Sequence, residues 1–163
     1  MAWSTPARWA LRALGALALA FVLVQAWFAA QVLWYRWNPP GETAFMAQRM
    51  AEMRAKQPKA AIRYQWVPAE KISRHLKRAV IAAEDARFVE HSGFDWEAIA
   101  KAREKNERRG RVVYGGSTIT QQLAKNLFLS TERSYVRKAH EAIIAAVMEA
   151  MLPKRRILEL YLH

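Results

Sequence analysis

Glu84 is the residue whose type and position first suggest catalysis. Apolar residues recur every four positions from Ile72 through Leu76 to Val80, the spacing of one stripe on a helix. Glu84 takes the next position along that stripe, and Phe88 takes the one after it. A carboxylate that closes an apolar ridge is partly desolvated, which favours its protonated form and suits it to proton transfer. The same pattern fits a structural carboxylate at a helix end, so both interpretations remain open.

A second candidate site follows two glycines, Gly115 and Gly116, which free the backbone to bend and let a ligand come close. Thr118 and Gln121 have the spacing of a capping box, so a helix is predicted to begin here. One face of that helix would carry hydrogen-bonding groups and one cation but no acid: Thr118, Gln121, Gln122 and Lys125. We interpret this face as an anion-binding surface beside a positive helix N-terminus, with an ordinary polar exterior as the alternative.

A third candidate site contains an ion pair on a predicted helix from Ser134 to Met151. Arg137 and Glu141 are four residues apart and share their side of the helix with apolar residues. The pair is therefore either a buried structural pair or part of a site, and the sequence leaves both open. Arg133 adds a further cation in the preceding turn.

The N-terminal part of the chain predicts a membrane anchor. Residues Ala13 to Trp34 form a run of 22 without a charge. A helix of this length spans the roughly 30 Å of a bilayer's hydrocarbon core. Arg8 and Arg12 precede the run, and tryptophan and tyrosine crowd its far end. These flanks predict a single-pass anchor with its N-terminus in the cytoplasm and the remaining chain outside. A cleaved signal peptide with Ala13–Val24 as its core is the alternative.

The chain is predicted to divide into three parts: residues 1–37 as tip and anchor, 38–72 as a linker, and 73–163 as the catalytic part. In the linker, Thr43 can cap a short helix, and Ser73 and Asp95 can cap the next two helices along the chain. The alternation of Ile62, Tyr64 and Trp66 with polar residues predicts a short strand.

Composition limits the class of partner. Lys and Arg number 26 against 14 Asp and Glu, a net charge of +12, so an anionic partner is expected. Anionic lipid, a phosphorylated substrate and nucleic acid all fit this charge, but an extracytoplasmic domain would not meet nucleic acid. The chain has no cysteine, which excludes disulfides and thiolate metal sites.

Four motifs together resemble those of the peptidoglycan glycosyltransferases, glycosyltransferase family 51. They are Glu84-Asp85-x-x-Phe88-x-x-His91-x-Gly93, Gly116-Ser117-Thr118-Ile119-Thr120-Gln121-Gln122, Arg137-Lys138-x-x-Glu141 and Ile157-Leu158-Glu159-x-Tyr161-Leu162. The resemblance covers roughly Ile62 to Leu162. The family's fourth motif usually ends with asparagine where this chain has His163, and the family's domain continues further. We therefore expect a C-terminally incomplete catalytic domain.

The resemblance implies a mainly α fold, in which a transmembrane helix precedes a lysozyme-like helical glycosyltransferase domain. It implies polymerisation of lipid II into glycan strands with release of undecaprenyl diphosphate. Glu84 would be the general base, Asp85 would orient it, and Glu141 would lie near the leaving pyrophosphate. The expected pyrophosphate ligands are Lys125, Arg133 and Arg137, and the expected ligands of sugar and phosphate oxygens are Ser117, Gln121 and Gln122.

The resemblance implies no tightly bound cofactor and allows a divalent cation, Mg²⁺ or Mn²⁺, at Glu141. The implied partners are lipid II, the growing strand, the cytoplasmic (inner) membrane and other cell-wall synthases. Two other functions stay open. A glycan-cleaving muramidase would use its glutamate as an acid and water as acceptor. A non-catalytic membrane scaffold would need no base.

Overall fold

Seven α-helices and no strand occur in the part of the chain that this computed structural model describes, namely residues 5–113, 115–132 and 134–163. The helices are α1 (Thr5–Trp34), α2 (Ala44–Lys56), α3 (Arg74–Glu84), α4 (Trp96–Arg109), α5 (Ile119–Phe128), α6 (Tyr135–Met151) and α7 (Lys154–Tyr161). A single 3-10 turn, Ala69–Lys71, lies between α2 and α3. The predicted mainly helical class is confirmed.

Helix α1 is long and apolar enough to cross a membrane. Its 29 residues from Pro6 to Trp34 have a mean hydropathy of 2.1 in their most apolar stretch, none of which is buried against the protein. The helix begins earlier than predicted, so Arg8 and Arg12 lie within it. Its length and composition are compatible with a membrane anchor.

The C-terminal half of α1 packs against α6, and the two helices run parallel. Gln25 Nε2 lies 3.1 Å from His140 Nε2, and the Arg36 guanidinium donates to the Met151 carbonyl at 2.8 Å. The second contact lies further along the chain than the first by the same number of residues on both sides, as expected for two parallel helices. Val32, between these contacts on α1, is fully buried. One face of this half of α1, with Val32 at its centre, therefore contributes to the core of the domain.

Helices α5, α6 and α7 supply most of that core. Its fully buried members include Ile119 on α5, Ile144 and Met148 on α6, and Ile157 on α7. Burying one such side chain contributes about 1.5–3 kcal/mol relative to leaving it in water. The candidate site residues on α5 and α6 are therefore carried by the most firmly packed part of the molecule.

The predicted helix starts are confirmed, because each cap is a local interaction. A side-chain oxygen accepts a backbone N–H from the first turn at each of five caps: Thr43, Ser73, Asp95, Thr118 and Ser134. Such a cap contributes about 0.5–2 kcal/mol.

The strand predicted at Ile62, Tyr64 and Trp66 is wrong. The three side chains are half-buried and alternate with exposed ones, as predicted, but no strand forms in these described residues. The end of α7 holds the segment instead. His163 stacks on Trp66 at 3.9 Å between ring centroids and accepts the Val67 N–H at 2.8 Å.

The basic run from Lys101 to Arg111 is largely exposed to solvent. It continues α4 to Arg109, and Gly110 then ends the helix at a φ of +63°. Arg103 pairs with Glu107 at 2.8 Å and Arg108 pairs with Glu104 at 2.6 Å, all with side chains more than 60% exposed. Exposed pairs of this kind contribute about 0.3–0.5 kcal/mol each.

Candidate active site

Glu84 is exposed, so its predicted desolvation is wrong. Helix α3 ends at Glu84, and Phe88, which was expected to continue the stripe, lies beyond the helix and is fully buried. Leu76, two steps earlier on the stripe, is 51% exposed, whereas Val80, one step earlier, packs against the core. The apolar stripe therefore ends at Val80, and the Glu84 carboxylate faces solvent at the end of the helix.

The buried carboxylate of this motif is its neighbour, Asp85. One oxygen, Oδ1, lies 2.9 Å from His91 Nε2, and the other, Oδ2, accepts the backbone N–H of Ile119 at 3.0 Å. Ile119 is the first residue of α5, where the helix dipole favours a negative charge. Asp85 thus fastens the end of α3, with Glu84, to the start of α5.

Glu84 also contacts α5 through its own side chain. Gln122 donates from Nε2 to Glu84 Oε2 at 3.0 Å, and Tyr161 on α7 donates from its hydroxyl to Gln122 Oε1 at 3.0 Å. Burial, and then the negative charge of Glu84, raise the pKa of Tyr161. The candidate base therefore lies at the end of a hydrogen-bonded chain that starts on α7.

Only part of the predicted polar face of α5 is available to a ligand. Thr118 and Gln121 form the capping box and are 2% and 4% exposed. Thr118 also donates its hydroxyl to the Gly93 carbonyl at 2.7 Å. Gln122 and Lys125 are half-buried. The prediction of a capped helix is confirmed. The polar groups of Thr118 and Gln121 are used mainly to cap the helix, so they have little surface left for a ligand.

The two glycines before α5 differ in what surrounds them. A Cβ added to Gly116 would lie 2.9 Å from the Ile99 Cα on α4, whereas one added to Gly115 would meet no heavy atom within 4 Å. Neither glycine has a positive φ in the described residues. Gly116 allows α4 to approach the loop that carries Ser117.

Glu141 is the buried centre of a cationic cluster. Its side chain is 3% exposed and bonds to Arg137 Nη1 at 2.7 Å and to Lys138 Nζ. Lys138 Nζ also donates to Ser117 Oγ at 3.0 Å. The predicted pair of Arg137 and Glu141 is therefore buried, and Lys138 links it to the loop before α5.

A divalent cation at Glu141 would meet two cationic side chains. The carboxylate oxygens already bond to Arg137 and Lys138, whose positive charges oppose a metal ion there unless they move aside. Asp85, His91 and Asp95 form the one acidic and histidine cluster of metal-binding size among the described residues. Its oxygens accept the Ile119 and Ala98 N–H groups and the His91 ring nitrogen, so hydrogen bonding within the protein accounts for the cluster.

Two grooves meet at the loop before α5. The base groove, of about 270 Å³, is lined by Glu84 and by Gly116 and Ser117. The cationic groove, of about 580 Å³, is lined by the same Gly116 and Ser117 and by Lys138. Of the remaining predicted ligands, Thr118 lines the base groove and Gln121 lines the cationic groove. Gln122, Lys125 and Arg137 are not part of either groove wall, and Arg133 lies outside the described residues.

The base groove contains further charges that the sequence did not single out. Its wall includes Arg87, Asp95, Glu97 and Lys101. A hydrogen bond from the Ala98 N–H lowers the pKa of Asp95, and the charges of Arg87 and His91 add to this effect. The hydrogen bond from Lys101 lowers the pKa of Glu97. The groove is thus ionic at neutral pH.

The helical domain, with an exposed glutamate beside a cationic cluster, is matched by the family model described as Transglycosylase over residues 49–163. The chain therefore belongs to the transglycosylase family and is a glycosyltransferase by class. The predicted resemblance is confirmed.

Curated relatives narrow the class. The chain is 57% identical over 156 residues to a protein of Azoarcus sp. strain BH72, covering 96% of this chain and 68% of the relative. It is 56% identical to a protein of Dechloromonas aromatica strain RCB over the same shares of the two chains. Both relatives are named biosynthetic peptidoglycan transglycosylase.

Two residues that the structure brings into the site, Lys138 and Tyr161, had no predicted role in it. Lys138 contacts both Ser117 and Glu141, and its i,i+3 spacing from Glu141 was a signal that could have identified it. Tyr161 reaches Gln122 across 39 residues of sequence, which no local pattern predicts.

Proposed function

We propose that this protein is a peptidoglycan glycosyltransferase that polymerises lipid II into glycan strands and releases undecaprenyl diphosphate. The family and the names of its relatives support the reaction class. The observation that carries the proposal is that Ser117 lies in the walls of both grooves, between the candidate base and the cationic cluster. Acceptor and leaving group can therefore bind side by side.

In this proposal Glu84 is the general base. It takes the proton from the 4-hydroxyl of the acceptor sugar as that oxygen attacks the anomeric carbon of the growing chain. The new glycosidic C–O bond forms while the bond from the anomeric carbon to the diphosphate oxygen breaks. General base catalysis of this kind contributes about 10²–10⁴-fold. The exposed position of Glu84 suits this role, because the acceptor hydroxyl must reach it.

The cationic cluster receives the leaving group. Negative charge develops on the diphosphate as its bond to the sugar breaks, and fixed cations stabilise that charge. Glu141 holds Arg137 and Lys138 in place, and Lys138 is half-exposed beside Ser117 in the cationic groove. We assign Lys125 and Arg133 to the same role on the resemblance alone.

A membrane anchor suits this reaction, because donor and acceptor both carry lipid tails. Anchoring the enzyme in the same bilayer raises their effective concentration. We propose that α1 crosses the cytoplasmic membrane once, with Arg8 and Arg12 on the cytoplasmic side and the catalytic domain outside. The basic residues that precede the apolar run support this orientation.

The experiment that tests this function offers the purified chain two substrates. Fluorescently labelled lipid II in detergent should yield glycan polymer together with undecaprenyl diphosphate. One diphosphate should be released for each glycosidic bond formed. Finished glycan, given separately, should remain intact. Release of sugars from finished glycan, without polymer from lipid II, would identify a muramidase instead. Inertness towards both substrates would favour the scaffold.

A further inference from the structure

The two hydrogen bonds of the Gln122 side chain fix which way its amide group faces. Its amide nitrogen donates to Glu84 Oε2, and its amide oxygen accepts from the Tyr161 hydroxyl, each at 3.0 Å. An ionised carboxylate can only accept hydrogen bonds, whereas an amide presents a donor at one end and an acceptor at the other. If the amide turned over, its oxygen would face Glu84 and both ends of the contact would be acceptors.

The Tyr161 hydroxyl provides the donor that favours the observed orientation. The Tyr161 ring is half-buried against the core, and Leu160 beside it is buried. Burial raises the pKa of Tyr161, and the charge of Glu84 raises it further, so the hydroxyl keeps its proton at neutral pH. The position of α7 is fixed in turn by Arg156, which donates to the Tyr35 and Asn38 carbonyls at 2.7 Å each.

We propose that Tyr161 is a positioning residue, which holds the Gln122 amide so that its N–H group orients Glu84 and stabilises its charged form. This inference rests on the proposed role of Glu84 as general base. Tyr161 itself need not touch the substrate, because it acts through Gln122.

Removing the hydroxyl should change both the rate and its pH dependence. Without its donor, the amide can turn over, and Glu84 loses a hydrogen bond to its charged form. A carboxylate that loses such a bond is protonated more readily, so the acid limb of the activity profile should move to higher pH. The other charged groups of the base groove are unchanged by this substitution: Asp85, Arg87, Asp95, Glu97 and Lys101.

The test compares Tyr161→Phe with Tyr64→Phe in the full chain, with lipid II as substrate. The Tyr64 hydroxyl is also buried but has no hydrogen-bond partner among the described residues, so its loss controls for removing a buried hydroxyl. We expect Tyr161→Phe to lower kcat about tenfold, which corresponds to one hydrogen bond to a charged group. KM should stay near its wild-type value and the acid limb should move to higher pH. Tyr64→Phe should change neither.

A second variant keeps the inference testable if the Tyr161 substitution also affects folding. Gln122→Met removes both hydrogen bonds at similar side-chain volume and should move the acid limb in the same direction. The double variant should then be no slower than Gln122→Met alone, because Tyr161 acts only through Gln122. Multiplicative losses in the double variant would overturn the inference.

The failure of this inference can be distinguished from failure of the proposed function. A wild-type pH profile and rate in Tyr161→Phe, alongside an inactive Glu84→Gln, would reject the role of Tyr161 and leave the base in place. Polymerisation by Glu84→Gln at the wild-type rate would reject the proposed base itself.

Discussion

Asp85 Oδ2 accepts the backbone N–H of Ile119 at 3.0 Å, across 34 residues of sequence. The bond joins the residue that follows α3 to the first residue of α5, in a place where the Asp85 side chain is 2% exposed. Glu84, the adjacent residue, is exposed and accepts from Gln122 on the same helix α5. The Asp85 carboxylate therefore fixes the backbone, and the neighbouring Glu84 carboxylate remains exposed where a substrate can reach it.

This division predicts that replacing each carboxylate by its amide will affect stability at Asp85 but not at Glu84. Asp85→Asn should destabilise the protein by about 1–3 kcal/mol, because a neutral amide weakens a buried, charge-assisted bond. That energy corresponds to a fall in Tm of about 2–4 °C per kcal/mol for a chain of this size. Glu84→Gln, at the exposed position, should leave Tm within about 1 °C, as surface substitutions usually do. Thermal unfolding in detergent measures both, and equal shifts in Tm would contradict the assignment.

The glycines before α5 give a second matched pair. Gly116→Ala should lower both Tm and activity, because its Cβ would lie 2.9 Å from the Ile99 backbone and would push α4 away from the Ser117 loop. Forcing a methyl group into such a contact costs about 1–3 kcal/mol. Gly115→Ala should be close to wild type, since space around Gly115 is open. Thermal unfolding and the rate of polymerisation test the pair, and a tolerated Gly116→Ala would remove the steric argument.

The helix cap at Asp95 predicts a dependence of stability on pH. Its pKa is lowered in the folded protein, chiefly by the Ala98 N–H, so its charged form is favoured by folding. The resulting stability is present above the aspartate pKa of the unfolded chain and is lost as pH falls below about 4. Asp95→Asn keeps the cap but does not titrate. The wild type should therefore have the higher Tm at pH 7, and the difference should shrink towards pH 3.

Other acids titrate in the same range, but they are common to both proteins and cancel in that difference. A difference in Tm that stays constant from pH 7 to pH 3 would show that the Asp95 charge contributes nothing to folding.

Local features of the fold could be predicted from the sequence. The caps at Ser73, Asp95 and Thr118 formed as expected, because a cap needs only residues within one turn. The apolar run of α1 was equally clear, since length and composition define it. The strand at Ile62–Trp66 failed because alternation records which side of a segment is buried, whereas a strand also needs a partner.

The arrangement of the site could not be predicted in the same way. The periodicity of α3 placed Glu84 on an apolar stripe, but the helix ends at that residue. Phe88 therefore lies outside the helix and is buried, whereas Glu84 remains exposed. The capping box at Thr118 and Gln121 was recognised, but its burial depends on neighbouring elements such as the Gly93 carbonyl. The contacts of Gln122 with Glu84 and Tyr161 join segments 38 and 39 residues apart, which no sequence window includes.

The role of Glu84 is tested most directly by the initial rate of lipid II polymerisation in Glu84→Gln, measured beside Glu104→Gln. Glu104 is an exposed carboxylate on α4 that pairs with Arg108 and lines neither groove, so its variant controls for the loss of one surface charge. We predict that Glu84→Gln is slower by about 10²–10⁴-fold at an unchanged Tm, while Glu104→Gln keeps the wild-type rate. Equal rates in the two variants would contradict a catalytic role for Glu84.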